Sequence, residues 1–167
     1  MKNIFLIILF PVYFFIQGCK QGTQLKPQKI IADIAMLDSI KNNADSVYSK
    51  RYPRNDITKA DYFINHNDST LTQVMMDSMG MIRQIVIVRN KIRIYTASFY
   101  PNGQLTANYE LDDFGQFINS SREFYETGSV KSEGNYKNGF RSGKWNNYDS
   151  TGKYTNTIEY DQYGQQK

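Results

Sequence analysis

The side chains that most often carry out chemistry are scarce in this 167-residue chain. His66 is the single histidine, and it lies among turn formers with no other ligand or nucleophile at a useful spacing. Asp112 and Asp113 could act as paired carboxylates, but the Phe114-Gly115 that follows makes them typical turn residues. The chain has no Gly-rich phosphate loop, serine elbow or triad spacing. The sequence therefore predicts a protein that is not an enzyme, without a catalytic residue, a metal site or a cofactor.

The N-terminus has the organisation of an export signal. Met1-Lys2-Asn3 precedes an apolar run from Ile4 to Ile16, which is shorter than the roughly 20 residues of a membrane-spanning helix. Ile16-Gln17-Gly18-Cys19 resembles a bacterial lipobox, and the resemblance implies cleavage before Cys19 and acylation of that cysteine. Residues 1–18 would then be a lipoprotein signal peptide and residues 19–28 a flexible tether. An ordinary cleavage site and an uncleaved N-terminal anchor are the alternatives.

Cysteine count and charge narrow the class of partner. Cys19 is the only cysteine, so the sequence allows no internal disulfide and no thiolate metal cluster. The formal net charge of +4 is spread along the chain without the basic stripe of a nucleic-acid-binding protein. Lys20-Gln21-Gly22-Thr23 lacks the acidic run that marks surface lipoproteins in Bacteroidetes. We therefore expect a membrane-anchored protein at the periplasmic face more than at the cell surface, with no nucleic-acid partner.

Glycines that follow short polar runs divide the second half of the chain at regular intervals, and such glycines are strong hairpin signals. The period is about two dozen residues, in the range of repeat architectures. Between two of these turns, Val130, Ser132, Gly134 and Tyr136 alternate with polar residues, as in a half-buried antiparallel strand. The sequence thus predicts repeated β-hairpins with turn glycines Gly103, Gly115, Gly128, Gly139, Gly152 and Gly164.

The middle repeat resembles the variant MORN repeat of bacterial antitoxin-like proteins of the YwqK family. The resemblance covers about the last two fifths of the chain and implies a β-hairpin repeat sheet over residues 98–165. It implies no reaction. The matching residues are Tyr125, Gly128, Val130, Glu133, Tyr136, Gly139, Gly143, Trp145, Tyr148 and Gly152.

The sequence predicts a single domain over residues 29–167. The first half of this domain combines a helix with strands. Apolar residues recur every three to four positions from Ile30 to Tyr48, which predicts one amphipathic helix over 30–50 that ends before Pro53 and covers a sheet face. A partner-binding helix is the alternative. Strands are predicted within 61–100, and Ile85-Val86-Ile87-Val88 is expected in a central, covered strand. The predicted fold class is mainly β, an antiparallel hairpin-repeat meander with one N-terminal helix.

Aromatic residues at repeat positions are the candidates for function. Cross-strand packing explains them in part, since each such pair contributes up to about 1 kcal/mol. A row of exposed rings that docks a protein or stacks on sugar is the functional alternative, with Trp145 and Arg141 as the interface pair. The candidate binding surface is Tyr100, Tyr125, Arg141, Trp145 and Tyr148.

A recurring Asp-Ser dipeptide resembles the Asp-Ser/Thr-apolar acceptor of O-glycosylation in Bacteroidetes. Asp-Ser is also ordinary turn and capping chemistry. The acceptor serines would be Ser39, Ser46, Ser69, Ser78 and Ser150.

Two functions remain open from the sequence. One is a lipid-anchored, non-catalytic envelope module that presents its repeat surface to a protein partner, of which an antitoxin or immunity role is a special case. The other is a lipoprotein that binds glycan or peptidoglycan through exposed repeat aromatics.

Overall fold

The computed structural model describes residues 36–52 and 56–167, which form a single antiparallel sheet of ten strands and one short helix. The strands lie side by side in chain order, so each one pairs with its neighbours in sequence. They are β1 (Ser46–Arg51), β2 (Lys59–Asn65), β3 (Thr70–Met76), β4 (Ile82–Arg89), β5 (Ile92–Phe99), β6 (Leu105–Leu111), β7 (Phe117–Phe124), β8 (Val130–Lys137), β9 (Phe140–Tyr148) and β10 (Tyr154–Tyr160). The prediction of a mainly β hairpin meander is confirmed.

The turns explain why the chain reverses where it does. In the turn after β7, the N–H of Gly128 donates to the Tyr125 carbonyl at 2.9 Å, and Gly128 has a φ of +88°. The same bond pattern closes the turns that end at Gly80, Gly103, Gly115, Gly152 and Gly164. The Asn138-Gly139 turn differs, since both residues have positive φ, as in a two-residue type I′ hairpin. Every predicted turn glycine therefore lies in a hairpin turn with positive φ.

The predicted helix over 30–50 is wrong at its C-terminal end. The helix, α1, covers 36–42 of the described residues, and 30–35 lie outside them. Asn43 ends α1 by donating from both its backbone and its side chain to the Ser39 carbonyl. Val47 and Tyr48, which the helical period included, belong to β1, where Tyr48 stacks on Tyr62 with ring centroids 4.5 Å apart. Valine and tyrosine favour strands, and pairing with β2 outweighs the local helical pattern.

The main core lies between α1 and one face of the sheet. Leu37 of α1 packs with Phe63, Val74, Ile85 and Ala97, and Ile40 lies against the same cluster. Ile85 is buried and central, as its apolar run predicted. The prediction that the helix covers a sheet face is confirmed.

One row of directly paired residues crosses all ten strands on the α1 side of the sheet. In strand order the row is Ser49, Asp61, Val74, Ile85, Ala97, Asn108, Arg122, Glu133, Asn146 and Thr157. Paired residues point to the same side of a sheet. The row is apolar under α1 and polar beyond it, so we call the α1-side surface of β7–β10 the open face.

Candidate functional site

The predicted tyrosines tie successive turns together. The hydroxyl of Tyr100 donates to the Phe124 carbonyl at 3.0 Å, and that of Tyr125 donates to the Tyr148 carbonyl at 2.9 Å. Each bond joins one turn to the next turn along the same edge of the sheet, about one repeat later. All three tyrosine rings are half-buried. The side chains of Tyr100 and Tyr125 therefore join neighbouring repeats, whereas Tyr148 contributes its backbone carbonyl to this set of bonds.

Trp145 does not lie on an exposed surface, and its predicted role in a docking surface is wrong in that respect. Its side chain is 0% exposed, and its indole N–H donates to the Asn135 carbonyl at 3.1 Å. Arg141 is its partner, as the sequence predicted, with the guanidinium carbon 4.1 Å from the ring centre. Arg141 also forms an ion pair with Glu123 at 2.6 Å. The contact between Arg141 and Trp145 is therefore part of the internal packing of the sheet.

Trp145 belongs to an aromatic cluster on the side of the sheet opposite the open face. Tyr136 contacts Trp145 edge-on at 5.2 Å, and Tyr109 and Phe117 stack at 4.6 Å. Tyr136 also contacts both Tyr109 and Phe117. Sequence reasoning did not assign Phe117 to this cluster, although a period-two pattern with aromatic residues on neighbouring strands was the available signal.

The cluster changes the acidity of its polar groups. Burial, with the negative charge of Glu123 nearby, raises the pKa of Tyr109 well above its usual value. Burial alone would lower the pKa of Arg141, but hydrogen bonds with Tyr136, Tyr160 and Glu123 outweigh burial and raise it. The Tyr109 hydroxyl and the Arg141 guanidinium therefore both hold their protons at neutral pH.

The open face carries a connected set of polar side chains. Arg122 Nε donates to Glu133 Oε2 at 2.8 Å, and the Tyr148 hydroxyl donates to Glu133 Oε1 at 2.8 Å. The hydrogen bond to Glu133 raises the pKa of Tyr148. Thr157 donates to Asn146 Oδ1 at 2.7 Å. A shallow groove of about 480 Å³ lies over β7, β8 and β9, lined by Ser120, Arg122, Glu133, Asn135, Lys144 and Asn146.

A second exposed feature lies along one of the two sides of the sheet at which the strands end in hairpin turns; we call each of these sides a turn edge. In a meander every second turn falls on the same edge, and the turns after β6, β8 and β10 share one. Phe114, Phe140 and Tyr163 occupy these turns or the residue that follows, and they are 86%, 51% and 65% exposed. We call these three residues the turn-edge row. Sequence reasoning missed it because it weighted aromatic residues that precede the turns.

The other sequence candidates occupy turns and exposed positions. His66 is exposed, and Asp112 Oδ1 accepts from the backbone N–H groups of Phe114 and Gln116, which is turn chemistry. No group of three or more potential metal ligands occurs within 36–52 and 56–167. All five candidate acceptor serines, Ser39, Ser46, Ser69, Ser78 and Ser150, are exposed.

The predicted lipidation site lies outside the described residues, as do the predicted signal peptide, the tether and Pro53. Within the part of the chain that the structure describes, no helix is long and apolar enough to cross a membrane. Acylation of Cys19 remains a prediction.

No protein-family model and no curated protein matches the chain. Among solved structures, the chain is similar to a point mutant of S. aureus TarM in complex with fondaparinux, alpha-GlcNAc-glycerol and UDP. The TM-score is 0.34 and the identity 9%, over 68% of this chain and 27% of that one. The chain thus spans about a quarter of that structure, and a likeness at this level carries no argument about function.

Proposed function

We propose that the protein is a lipid-anchored, non-catalytic module of the bacterial cell envelope that presents its repeat sheet to a partner protein. The lipobox-like Ile16-Gln17-Gly18-Cys19 supports the anchor and the export. The non-catalytic part rests on the lack of any nucleophile paired with a base in the sequence. The resemblance to the YwqK family makes an immunity-like role a special case of this proposal.

The turn-edge row is the observation that supports a protein partner. Single exposed apolar residues are normal on a protein surface, whereas adjoining ones indicate an interaction site. Successive turns on this edge are two strands apart, which corresponds to roughly 10 Å. The turns also touch, because a Cβ at Gly164 would lie 3.0 Å from Phe140 Cβ. Aromatic residues are enriched at the centres of protein interfaces, so exposed rings on three successive turns of one side suit protein docking.

Site-specific photo-cross-linking in the native cell tests this function. A photo-reactive phenylalanine analogue at position 114 or 140 should give one discrete adduct with the same protein. The control is position 79, because Met79 is 75% exposed in a turn on the opposite edge of the sheet and should give no such adduct. Equal adducts from all three positions, or none from 114 and 140, would contradict the proposal.

The alternative, glycan binding through exposed repeat aromatics, has to involve fewer of the predicted residues. The hydroxyls of Tyr100 and Tyr125 serve the turns, and Trp145 is buried. Of the predicted surface residues, Tyr148 lies on the open face, and this face is therefore the surface that suits a glycan best.

A further inference from the structure

The open face differs from the rest of its side of the sheet in what covers it. Over β2–β5, Leu37 and Ile40 of α1 lie on the apolar part of the ten-strand row. Over β7–β9 the same side carries polar residues and a groove of about 480 Å³. This volume is within the range of small-ligand sites, which is roughly 300–1,000 Å³. The sheet is thus built to exclude water at one half and to leave a polar recess at the other.

Hydrogen bonds hold the polar groups of the recess in place. Glu133 is fixed from two sides by Arg122 and Tyr148, and Asn146 is fixed by Thr157. Polar groups held in advance lose less entropy when a ligand binds. The recess therefore presents carboxylate, guanidinium and amide groups in one arrangement.

Other groups in the recess retain unused hydrogen-bonding capacity. Ser120, Asn135 and Lys144 line the recess, and their side chains make no hydrogen bond to another residue of the described chain. Lys144 pairs across the strands with Glu159, but Glu159 is bound to Lys167 at 2.8 Å. Arg122 offsets Glu133, and Lys144 shares the Glu159 carboxylate with Lys167, so these five side chains together carry a net charge of +1.

Two tyrosine side chains are linked by hydrogen bonds to residues that line the recess, Tyr148 to Glu133 directly and Tyr154 to Asn146 through Thr157. Tyr148 and Tyr154 contact each other edge-on with centroids 6.0 Å apart, and Tyr154 is 53% exposed. The Tyr154 hydroxyl also bonds Thr157 at 2.8 Å, which links the ring to Asn146. An exposed ring beside amide, hydroxyl and charged groups suits a ligand that is apolar on one side and rich in hydroxyls at its edge.

We propose that the open face binds an oligosaccharide that carries a carboxylate. The sugar ring would lie on Tyr154, its hydroxyls would bond Asn135, Ser120 and Glu133, and its carboxylate would bind Lys144. This site is separate from the turn-edge row, so it stands whether or not a protein binds there.

Calorimetric titration of the full chain in detergent tests this site. The probes are tetragalacturonate and its uncharged tetramethyl ester, a pair that differs in the carboxylates alone. The acid should bind at least tenfold more tightly than the ester, and Lys144→Ala should abolish that difference. Tyr154→Ala should weaken binding of both probes about tenfold, as expected for loss of an aromatic contact. Tyr163→Ala, which removes an exposed ring elsewhere, should leave binding unchanged.

Several results would overturn the proposal. They are no saturable binding of either sugar, equal affinity for acid and ester, or equal weakening by Tyr154→Ala and Tyr163→Ala. Tetraglutamate provides a further arm, since tighter binding of this peptide than of the sugar would assign the face to protein carboxylates. Thermal unfolding of each variant separates loss of binding from loss of fold. The cross-linking of positions 114 and 140 is unaffected by any of these outcomes.

Discussion

The indole of Trp145 lies directly over Gly134 of the neighbouring strand. A Cβ at position 134 would be 2.5 Å from three carbons of the indole, a distance that no packed pair of atoms tolerates. Gly134 is not among the glycines with positive φ, so its backbone does not require glycine. The ring requires it. This close approach buries the only tryptophan of the chain and fixes the aromatic cluster around it.

We predict that Gly134→Ala destabilises the protein by about 1–3 kcal/mol, the usual cost of forcing an extra methyl group into a packed site. The sign is informative, because a glycine with an ordinary strand backbone normally gains stability when replaced by alanine. Urea unfolding measures the change. Lys137→Ala, on the exposed side of the same strand, is the matched control and should stay within about 0.5 kcal/mol of the wild type. A neutral or stabilising Gly134→Ala would contradict the contact.

Arg141→Ala should destabilise the fold by about 1–3 kcal/mol, because it removes packing on Trp145 and leaves Glu123 unpaired. The side chains are 29% and 20% exposed, so solvent screening keeps the cost below that of a fully buried pair. Lys167→Ala breaks the far more exposed pair with Glu159 and should leave the free energy of unfolding almost unchanged. Urea unfolding measures both changes. Equal losses of stability in the two variants would show that the contacts of Arg141 stabilise the fold no more than an exposed ion pair does.

Tyr100→Phe and Tyr125→Phe should each cost about 1 kcal/mol, the net value of one hydrogen bond. The ring stays in place, so the loss reports the tie between turns. Tyr163→Phe is the control, because that tyrosine is exposed on the opposite edge. Differential scanning calorimetry should show lower Tm values for the first two variants alone. Unchanged Tm values for them would mean that the hydroxyls do not couple the repeats.

Acid should weaken the fold through its turn aspartates. The side-chain hydrogen bond from Thr151, with backbone N–H groups, lowers the pKa of Asp149 below its usual value, and Thr70 does the same for the pKa of Asp68. The unfolded chain therefore binds more protons than the folded one near pH 4. This contribution is complete above the unfolded pKa of about 3.9 and is lost as the pH falls through the folded value.

Asp149→Asn keeps the accepting oxygen but removes the titration. We predict that the urea midpoint of this variant falls less steeply between pH 5 and pH 2 than that of the wild type. Asp68→Asn should flatten the curve further. Curves of identical steepness in the wild type and both variants would rule out these two carboxylates as a source of acid sensitivity.

The turns were predictable because their chemistry is local. Gly128 and Gly139 follow short polar runs, and the positive φ that each adopts depends on only a few neighbouring residues. The sheet order then follows from hairpins in sequence. The end of α1 was not predictable in this way, because Val47 and Tyr48 fit a helical period and are drawn into β1 by pairing with β2.

The candidate site was less accessible to sequence reasoning than the fold. The pairing of Trp145 with Arg141 was predictable. The burial of Trp145 was not, because it depends on Gly134 of the neighbouring strand lying directly under the indole. The open face depends on where the short α1 stops covering the sheet, which is a tertiary fact. Lys144 and Tyr154 are candidate binding residues only because they lie on this uncovered part of the sheet.

Metabolic labelling with a radioactive or clickable fatty acid tests the central claim most directly, because the proposed location and partner both depend on the anchor. The wild-type chain and a Cys19→Ala variant would be expressed in the native cell and compared after gel separation. The account predicts a labelled wild-type band, no label on the variant, and release of the variant from the membrane fraction. Equal labelling of both chains, or no labelling of the wild type, would contradict it.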